Sequence, residues 1–417
     1  MKVLFTFGGL PHYSNYILSR LNNINNLEIV VVVPETNTNT IGDGVKQTNE
    51  GINFKIIYLP EQKAFYGNYR FKGLRNILKK EKPDILVTIW PYILDFVVNF
   101  RLKNSLKKYN IKLILKEIPF HVPKFNETFK YYKSKEALCL NEELEQNEKI
   151  DYKFYIKYFI LKYIRKYYYT RLVKATVNYI DSAKEILSSY GLDRDKIFIT
   201  TNSPDTDLIF AAAKKIKKSK SILPSNKYRI IHIGRLVKWK KTHQIIEAVK
   251  LLITDFPDIE LLIIGRGKEE SNLKSKAENL GVEKNIKFVG AIYDNETLGR
   301  YLISSSIYIL AGMGGLSINQ AMAFGKPVIC STADGTEKRL VKDGYNGFYF
   351  KDDDVEDLAN KIRYLFNKPE LIEQMGKNSL KIIKEDVNVH RVIFEYVNAF
   401  NYVTGSKLEY TMPENNL

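Results

Sequence analysis

The sequence predicts two α/β domains, each built on a doubly wound parallel sheet, and three observations support this prediction. The chain has 417 residues, which is too long for a single ordinary core. In its first half, short and nearly continuous apolar runs alternate with helical patterns, as expected for parallel strands covered on both faces by helices. The same alternation starts again at Arg229 and continues to about residue 385.

The first Rossmann-like domain is predicted over residues 1–203. Helical patterns lie between its strands at His12–Leu21, Phe71–Lys80 and Leu94–Lys108, and residues 151–190 read as mainly helical. The alternation lapses over residues 121–150, which we expect to form a loop or excursion. The strand candidates are Val3–Phe7, Glu28–Val33, Phe54–Tyr58, Ile85–Ile89, Lys112–Lys116, Val177–Ile180 and Lys196–Thr200.

The second Rossmann-like domain is predicted over residues 204–385. Its strand candidates are Arg229–Ile233, Ile259–Ile264, Ile286–Val289, Ile307–Leu310 and Val328–Cys330. Its helix candidates are His243–Leu252, Lys268–Asn279, Asn295–Ile303, Leu316–Phe324, Val355–Phe366 and Pro369–Lys384. Residues 404–417 are polar without periodicity, so we expect a disordered tail. Two such domains facing each other would enclose a central cleft, where ligands of this architecture bind.

Composition limits the partners and the compartment. The formal charge of +17 is compatible with nucleic acid, an anionic membrane surface or phosphorylated substrates, or with a general preference for lysine and nothing more. The two cysteines, Cys139 and Cys330, predict neither a disulfide framework nor a cysteine metal site, so a reducing cytoplasm is expected. The first residues do not read as a signal peptide, and no apolar run is long enough for a transmembrane helix.

A glycine-rich segment indicates an anion site in the second domain. Met313-Gly314-Gly315 runs directly into the helical pattern that begins at Leu316. Glycines before a helix let backbone N–H groups approach an anion such as a diphosphate. A tight turn that binds nothing explains the same residues about equally well.

Two further loops follow predicted strands of the second domain. Gly234-Arg235, with Lys240 nearby, follows Arg229–Ile233. An arginine fork and a lysine point charge at this spacing could both reach a diphosphate, although a solvated basic loop is the alternative. Gly265 opens a glycine turn after the next strand, which lacks the third glycine of a dinucleotide fingerprint, so a structural turn is favoured there.

The first domain offers two candidates at strand ends. Gly8-Gly9, with His12 close by, follows the first strand and could border an acceptor, although a polar loop histidine is the plainer interpretation. His121 follows Lys112–Lys116 between two prolines, which would hold its loop stiff. Such a histidine could hydrogen-bond a sugar or simply face solvent.

Two charged stretches have less specific interpretations. The triplet Asp352-Asp353-Asp354 precedes a helical pattern and favours a cap over a metal site, and no other set has metal-ligand spacing. Residues 149–180 are rich in tyrosine and lysine, which suits a membrane interface. On a helical wheel, however, their cations scatter round the axis, so a packed helix pair with basic edges is the alternative.

Taken in their order along the chain, these motifs resemble those of the retaining family 4 glycosyltransferases (the glycosyl transferases of group 1), which have the GT-B fold. The resemblance covers about residues 200–385, from Gly234-Arg235 through Gly265 to the segment Gly315–Ile329 and Asp343–Phe348. It implies a UDP- or GDP-sugar donor held by the second domain, no required cofactor or metal, and a helix over residues 386–403 that crosses back to the first domain. The implied activity is that of a hexosyltransferase, which transfers a sugar from the donor to a glycan or lipid-linked glycan, as in bacterial polysaccharide or lipopolysaccharide synthesis.

The resemblance also implies roles for individual residues. Arg235 and Lys240 would neutralise the diphosphate as the glycosidic bond breaks, and His121 would lie near the reacting sugar. The remaining donor contacts would come from Gly234, Gly265, Ala291, Ile292, Gly312, Met313, Gly314, Gly315, Leu316, Ser317 and Gln320, with Ala291-Ile292 at the nucleobase.

One departure from the family pattern bears on activity. The family carries a Glu-x7-Glu pair here, but this chain has Gly312 and Gln320 at the two positions. Gln320 can still hydrogen-bond a ribose, whereas Gly312 has no side chain to offer. A non-catalytic paralogue that binds a nucleotide sugar or glycan is therefore the alternative. An epimerase lacks an assignable acid/base set, and dispersed cations without a known module argue against a nucleic-acid-binding protein.

Overall fold

The computed structural model describes residues 1–36, 48–134, 150–216, 222–333 and 335–413. They divide into two compact units, Met1–Thr201 with His390–Met412, and Asn202–Val389. The boundaries set from the sequence, after residues 203 and 385, stay predictions. Within the predicted tail, the N–H of Leu408 donates to Asn401 Oδ1 at 2.9 Å, so this part of the tail has defined contacts. Cys139 lies outside the described residues.

The described part of the first unit forms a seven-stranded parallel sheet and a small antiparallel hairpin. The sheet order is β3-β2-β1-β6-β7-β8-β9, and β4 pairs with β5. The pattern predicted all seven sheet strands to within a few residues but not the hairpin. The strands are β1 (Lys2–Thr6), β2 (Glu28–Pro34), β3 (Lys55–Leu59), β4 (Glu61–Lys63), β5 (Tyr69–Phe71), β6 (Ile85–Ile89), β7 (Lys112–Lys116), β8 (Ala175–Asn178) and β9 (Ile197–Ile199).

Helices flank this sheet, and one predicted helix is divided in two. The expected helix Leu94–Lys108 breaks at Asn99, whose side chain accepts a hydrogen bond from the N–H of Leu102 at 3.1 Å and so caps a new helix. The helices are α1 (His12–Asn22), α2 (Leu74–Glu81), α3 (Ile93–Val98), α4 (Phe100–Lys108), α5 (Thr128–Tyr132), α6 (Tyr152–Tyr167) and α7 (Ala183–Ser188).

The second unit repeats the architecture with a six-stranded parallel sheet in the order β12-β11-β10-β13-β14-β15. Its strands are β10 (Arg229–Ile233), β11 (Glu260–Ile264), β12 (Ile286–Gly290), β13 (Ile307–Leu310), β14 (Val328–Cys330) and β15 (Gly347–Tyr349). Its helices are α8 (Thr206–Ile216), α9 (Thr242–Leu252), α10 (Glu270–Leu280), α11 (Asn295–Ile303), α12 (Ser317–Ala323), α13 (Glu337–Leu340), α14 (Val355–Phe366) and α15 (Pro369–Glu385). Strand β15 and helices α8 and α13 were not among the sequence predictions.

The core of the second unit lies on both faces of its sheet, because successive residues of a strand point to opposite sides. Ile230 of β10 packs in one buried cluster with α9 and α14. Its neighbour Ile231 packs in the other cluster with α8, α11 and α12. Burial on both faces explains why these strands read as continuous apolar runs.

The final helix, α16 (Val389–Thr404), packs within the first unit from His390 onward. Tyr396 and Phe400 contact Phe5 of β1 edge to face, with ring centroids 6.1 and 6.4 Å apart. The chain therefore ends its course through the second unit at α15 and completes the core of the first.

Candidate active site

The candidate donor site lies at the carboxyl edge of the second sheet. All its neighbouring strands are parallel, so the loops after β10, β11, β12 and β13 leave the sheet on the same edge. The chain passes from β10 to β11 on one side, while β13 pairs with β10 on the other. Ligands of doubly wound sheets bind at such a switch point. The loops after β10 and β13, which begin at Gly234 and Ala311, meet there.

The loop after β10 carries both predicted cations. Gly234 donates its N–H to the carbonyl of Ile264 at 2.9 Å, which continues the sheet pairing by one residue. A single helical turn, Lys238–Lys240, follows. The Arg235 guanidinium lies over the ring of Trp239, 5.4 Å from its centroid, so the aromatic face supports the cation.

Lys240 holds the glycine-rich loop. Its ammonium group donates to the carbonyl oxygens of Met313 and Gly314, at 2.6 and 2.5 Å, and its side chain is buried. The N–H of Met313 in turn donates to the carbonyl of Trp239 at 3.0 Å. The two loops predicted to bind the diphosphate are therefore joined by three hydrogen bonds, and Lys240 brings its charge to the point where they meet.

Three glycines pack against the backbone that follows β10. A Cβ atom on Gly265 would collide with the carbonyl of Gly234, and one on Gly267 with the carbonyl of Leu236. A Cβ on Gly312 would lie 2.8 Å from the carbonyl carbon of Lys240 and would collide with the carbonyl of Trp239. The run from Gly234 to Lys240 is thus held on both sides by residues without side chains.

This packing bears on Gly312, the position where the resemblance implied a glutamate. The space that a side chain of residue 312 would need is occupied by the main chain of Trp239 and Lys240. A glutamate at this position is incompatible with this arrangement of the two loops. Gln320, at the second position, lies on α12 and is partly exposed, so its amide remains accessible.

A buried histidine lies beneath the loop. His232 of β10 is fully buried, with Nδ1 3.0 Å from the carbonyl of Ile309 and Nε2 3.3 Å from the hydroxyl of Thr242. The pKa of His232 is lowered to about 4, chiefly because burial disfavours the charged ring; the hydrogen bond to Ile309 opposes this shift, and the nearby Lys240 charge adds to it. The ring is therefore neutral at pH 7. With that charge state, Nδ1 donates to Ile309 and Nε2 accepts from Thr242.

Hydrogen bonds to neighbouring segments fix the start of α12. The hydroxyls of Tyr308 and Ser317 lie 2.8 Å apart, and burial raises the pKa of Tyr308. The Asn319 amide nitrogen donates to the carbonyl of Asn202 at 3.0 Å. Leu316 immediately precedes the helix and is partly buried. These contacts fix the start of α12, and they leave Ser317, a predicted donor contact, buried with its hydroxyl engaged by Tyr308.

The predicted nucleobase contacts lie farther along the same edge. Ala291 is exposed and Ile292 is partly buried, and both follow β12 at the edge of the sheet. A Cβ on Gly290, which has a φ of 89°, would lie 3.7 Å from the Arg266 guanidinium. This end of the site therefore places the backbone that follows β12 beside the cationic side chain of Arg266.

The acceptor-side candidates belong to the first unit. Gly8-Gly9 follows β1, and His12 begins α1 with its ring against Tyr13. His121 ends the short helical turn Pro119–His121 after β7 and is exposed. Because β6 lies between β1 and β7, His12 and His121 follow strands that are not neighbours in the sheet.

Sequence reasoning missed the buried charges behind His121. Arg165 of α6 donates to the Tyr132 hydroxyl at 2.8 Å and reaches the His121 carbonyl at 3.5 Å. Glu117 accepts from the Tyr169 hydroxyl at 2.6 Å, and burial raises the pKa of its carboxyl group. Both appear in the sequence as ordinary charged residues among many, so no local signal marked them.

The aspartate triplet acts as a cap and an ion-pair partner. Asp354 accepts from the N–H of Asp357 at 2.9 Å at the start of α14. Asp352 and Asp353 both contact the Lys241 ammonium group, at 2.7 and 2.8 Å. Among the residues that the structure describes, no group of three histidine, cysteine or acidic side chains could hold a metal ion.

Comparison with known proteins agrees with this geometry. Residues 213–382 match the family model of the glycosyl transferases group 1. An uncharacterized glycosyltransferase of Haemophilus influenzae is 31% identical over 190 residues, which are 43% of this chain and 53% of that protein. The chain spans about half the length of the curated relatives that it matches first.

Solved structures extend the likeness to nearly the whole chain. Anabaena Alr3699/HepE, solved with UDP, superposes with a TM-score of 0.66 and 15% identity over 96% of this chain and 100% of that one. A Staphylococcus aureus TarM mutant, solved with fondaparinux, alpha-GlcNAc-glycerol and UDP, superposes with a TM-score of 0.63 and 12% identity over 96% of this chain and 99% of that one. The molecule thus has the GT-B fold of two Rossmann-like domains, as predicted. The match of residues 213–382 to the model of the glycosyl transferases group 1 agrees with the group that the resemblance indicated for this part of the chain.

Proposed function

We propose that the protein transfers a sugar from a nucleotide-sugar donor to a glycan or lipid-linked glycan acceptor. The observation that carries this proposal is the junction of Arg235, Lys240 and the loop Gly312–Gly315 at the switch point of a family domain. A junction of this kind concentrates positive charge and free backbone where a diphosphate would sit.

The chemistry follows from charge. The bond between the sugar and the diphosphate oxygen breaks, a bond from the same sugar carbon to the acceptor hydroxyl oxygen forms, and the hydroxyl proton passes to the departing diphosphate. Arg235 and Lys240 would stabilise the negative charge that grows on the leaving diphosphate. We further propose that transfer retains the anomeric configuration, as the resemblance to family 4 implies. Transfer should need no metal, because Arg235 and Lys240 already supply the positive charge that a metal would provide.

The donor is proposed to be a UDP- or GDP-sugar. The backbone at Ala291-Ile292 would contact the base, and Gln320 would hydrogen-bond the ribose. The complex of HepE with UDP favours a uridine nucleotide among relatives of this fold. His121, with Gly8, Gly9 and His12, is proposed for the acceptor side.

The acceptor is proposed to be a glycan, such as a lipid-linked oligosaccharide or lipopolysaccharide precursor. The glycan ligands in the TarM structure support this class. We propose a cytoplasmic protein with peripheral contact to the anionic inner face of the membrane, supported by the net charge of +17. None of the described helices has the length and apolarity needed to cross a bilayer.

The donor site is tested by thermal unfolding with UDP, GDP, CMP and their common sugar conjugates. A ligand at 100 times its Kd stabilises the native state by about 2.7 kcal/mol, which is readily measured. We expect one nucleotide diphosphate to raise the melting temperature of wild type and of Lys238→Ala, an exposed neighbour, but not of Arg235→Ala. The absence of a shift with every nucleotide would refute the donor site.

A second candidate, a non-catalytic binding paralogue, is favoured by one observation. The main chain fills the place of the first family glutamate at Gly312, so no carboxylate reaches the sugar from there. Release of nucleotide diphosphate from a bound donor distinguishes the two candidates. Turnover with any donor and acceptor excludes the paralogue, whereas tight donor binding without release, in the presence of glycan acceptors, excludes the transferase.

A further inference from the structure

Helix α6 turns an apolar face to solvent. Five of its large side chains are each about half exposed or more, between 47 and 68%. They recur at intervals of one turn and therefore lie on one stripe along the helix. We name this stripe the α6 apolar face, and it consists of Tyr152, Ile156, Phe159, Ile160 and Tyr163.

The opposite side of α6 is fixed in the first unit. Phe154, Tyr158 and Arg165 are buried there. Tyr158 stacks on Tyr132 with ring centroids 3.8 Å apart, and Arg165 donates to the Tyr132 hydroxyl. The helix is thus anchored through one side, so the exposure of the other side follows from its packing and not from a loose helix.

Cations border the α6 apolar face on both sides. At about 100° per residue, Lys162 and Lys166 lie along one border and Lys153 and Lys157 along the other. Of the other cations that scattered on the wheel, Arg165 is buried on the opposite side of the helix, and Arg171 and Lys174 lie beyond its end. The sequence holds no aspartate or glutamate from residue 152 to residue 180, so no acidic side chain of this stretch offsets the lysines.

A shallow groove continues the apolar surface toward α3. Its lining is apolar or tyrosine throughout, and Lys103 donates to the Tyr167 hydroxyl at 2.8 Å at one end. A groove lined by uncharged side chains could hold a lipid acyl chain, and the lysine at its end could contact the phosphate of the same lipid. The lining residues are Val97, Phe159, Ile160, Tyr163, Ile164 and Tyr167.

We propose that the α6 apolar face docks on an anionic membrane surface, with the helix lying in the plane of the interface. Tyrosine and isoleucine side chains enter the boundary between headgroups and acyl chains, while lysines on both borders reach lipid phosphates. This inference assigns the membrane contact of the proposed function to a surface. It depends on no step of sugar transfer.

Cosedimentation of the full chain with vesicles tests this proposal. We expect binding to phosphatidylglycerol/phosphatidylcholine vesicles and little binding to phosphatidylcholine alone. The variant Ile156→Ser/Phe159→Ser/Ile160→Ser should bind the anionic vesicles at least about tenfold more weakly. The matched control, Leu251→Ser/Ile303→Ser, changes similarly exposed side chains of the second unit and should bind like wild type.

The lysine borders have their own test. Each lysine near an anionic surface contributes about fivefold in affinity, so Lys153→Gln/Lys157→Gln should lose about 25-fold on the anionic vesicles. The loss should shrink as salt is raised, because screening weakens the same contacts.

Single substitutions keep the test valid if the triple variant fails to fold. Phe159→Trp should show blue-shifted emission and quenching by lipids with brominated acyl chains, relative to wild type. Tyr364→Trp, on an exposed part of α14, should show neither. The proposal would be overturned if the tryptophan fluorescence of vesicle-bound Phe159→Trp were not quenched by the brominated lipids. It would also be overturned if the wild-type protein did not bind anionic vesicles.

A second copy of the chain is the competing occupant. Sedimentation velocity showing a dimer that the triple variant dissolves, without vesicle binding, would also overturn the membrane assignment. Nucleotide-induced thermal shifts measured on the same preparations separate these outcomes from failure of the proposed function, because the donor site lies in the second unit.

Discussion

The carbonyl of Trp239 lies in the space that a side chain on Gly312 would enter, and it accepts the N–H of Met313 at 3.0 Å. The loop that carries the candidate cations and the loop after β13 are therefore closed against each other through their main chains. Gly312, where the resemblance implied a glutamate, is thus required by this closure, because any side chain there would meet the Trp239 carbonyl.

Replacing Gly312 should open this contact. We expect Gly312→Ala to lower the free energy of unfolding of the second unit by about 2 kcal/mol, because a methyl group must displace backbone. The corresponding loss in melting temperature is about 4–8 °C. Nucleotide-induced stabilisation should fall in the same variant, since the displaced run from Gly234 to Lys240 carries Arg235 as well as Lys240.

Gly234→Ala is the control for stability. A Cβ at Gly234 would lie 3.5 Å from His232 Nε2, which is ordinary contact, so this variant should lose less than about 1 kcal/mol. Equal melting temperatures for the two alanine variants would contradict the close approach at Gly312.

Removing the Lys240 ammonium should loosen the glycine-rich loop. Lys240→Met leaves the carbonyls of Met313 and Gly314 without their charged donor, and we expect a loss of about 2–4 kcal/mol. Hydrogen exchange at residues 313–317 should rise at the same time. Lys238→Met, at an exposed position on the same turn, should change neither quantity. Unchanged exchange in Lys240→Met would show that the loop is held by other contacts.

His232 should make the second unit sensitive to mild acid. Its pKa lies near 4 in the folded protein and near 6.5 in an unfolded chain, so only the unfolded state takes up a proton between these values. Its contribution to stability is complete above pH 6.5 and is lost as the pH falls toward 4. From pH 7 to pH 5 the expected loss is about 2 kcal/mol.

The measurement is urea unfolding in a Trp90→Phe background, where Trp239 reports the second unit. In His232→Asn the amide can still donate to Ile309, and the loss between pH 7 and pH 5 should be smaller by the same amount. If the variant and wild type lose equal stability over this range, another group is responsible for it.

The buried pair behind the His121 loop should show strong coupling. We expect Arg165→Met to destabilise the first unit by about 3–5 kcal/mol, because it removes the cation that favours the charged form of the buried Glu117. Adding Glu117→Gln should recover part of this loss. A double-mutant cycle by urea unfolding measures the coupling energy, and strictly additive losses would show that the two charges do not interact.

The sequence predicted the repeating architecture well, because both sheets are buried on both faces and leave a strong apolar signal. The helix Asn295–Ile303 was placed to the residue, and in the structure the side chain of Asp294 caps it by accepting the N–H of Thr297. The break at Asn99 was missed because the apolar spacing continues across it. Helix α8 was missed because its start follows a turn rich in polar residues.

The sequence indicated which loops form the candidate site, but it did not indicate the contacts between them. Glycines and cations after strands are visible in sequence, and the structure brings the loops carrying Arg235, Lys240 and Gly312 together. No local pattern reveals that the Lys240 ammonium group binds two carbonyls, or that His232 lies buried beneath it. Such relationships depend on residues more than 70 positions apart.

The three glycines that close on the run from Gly234 to Lys240 also constrain how this protein can change over generations. Gly265, Gly267 and Gly312 all abut the same few peptide groups, so a mutation that shifts this run relaxes the steric demand at all three together. Relatives should therefore differ at these positions in a correlated manner. A carboxylate side chain at position 312 would require a shift of that run, so a substitution at this glycine alone should be poorly tolerated.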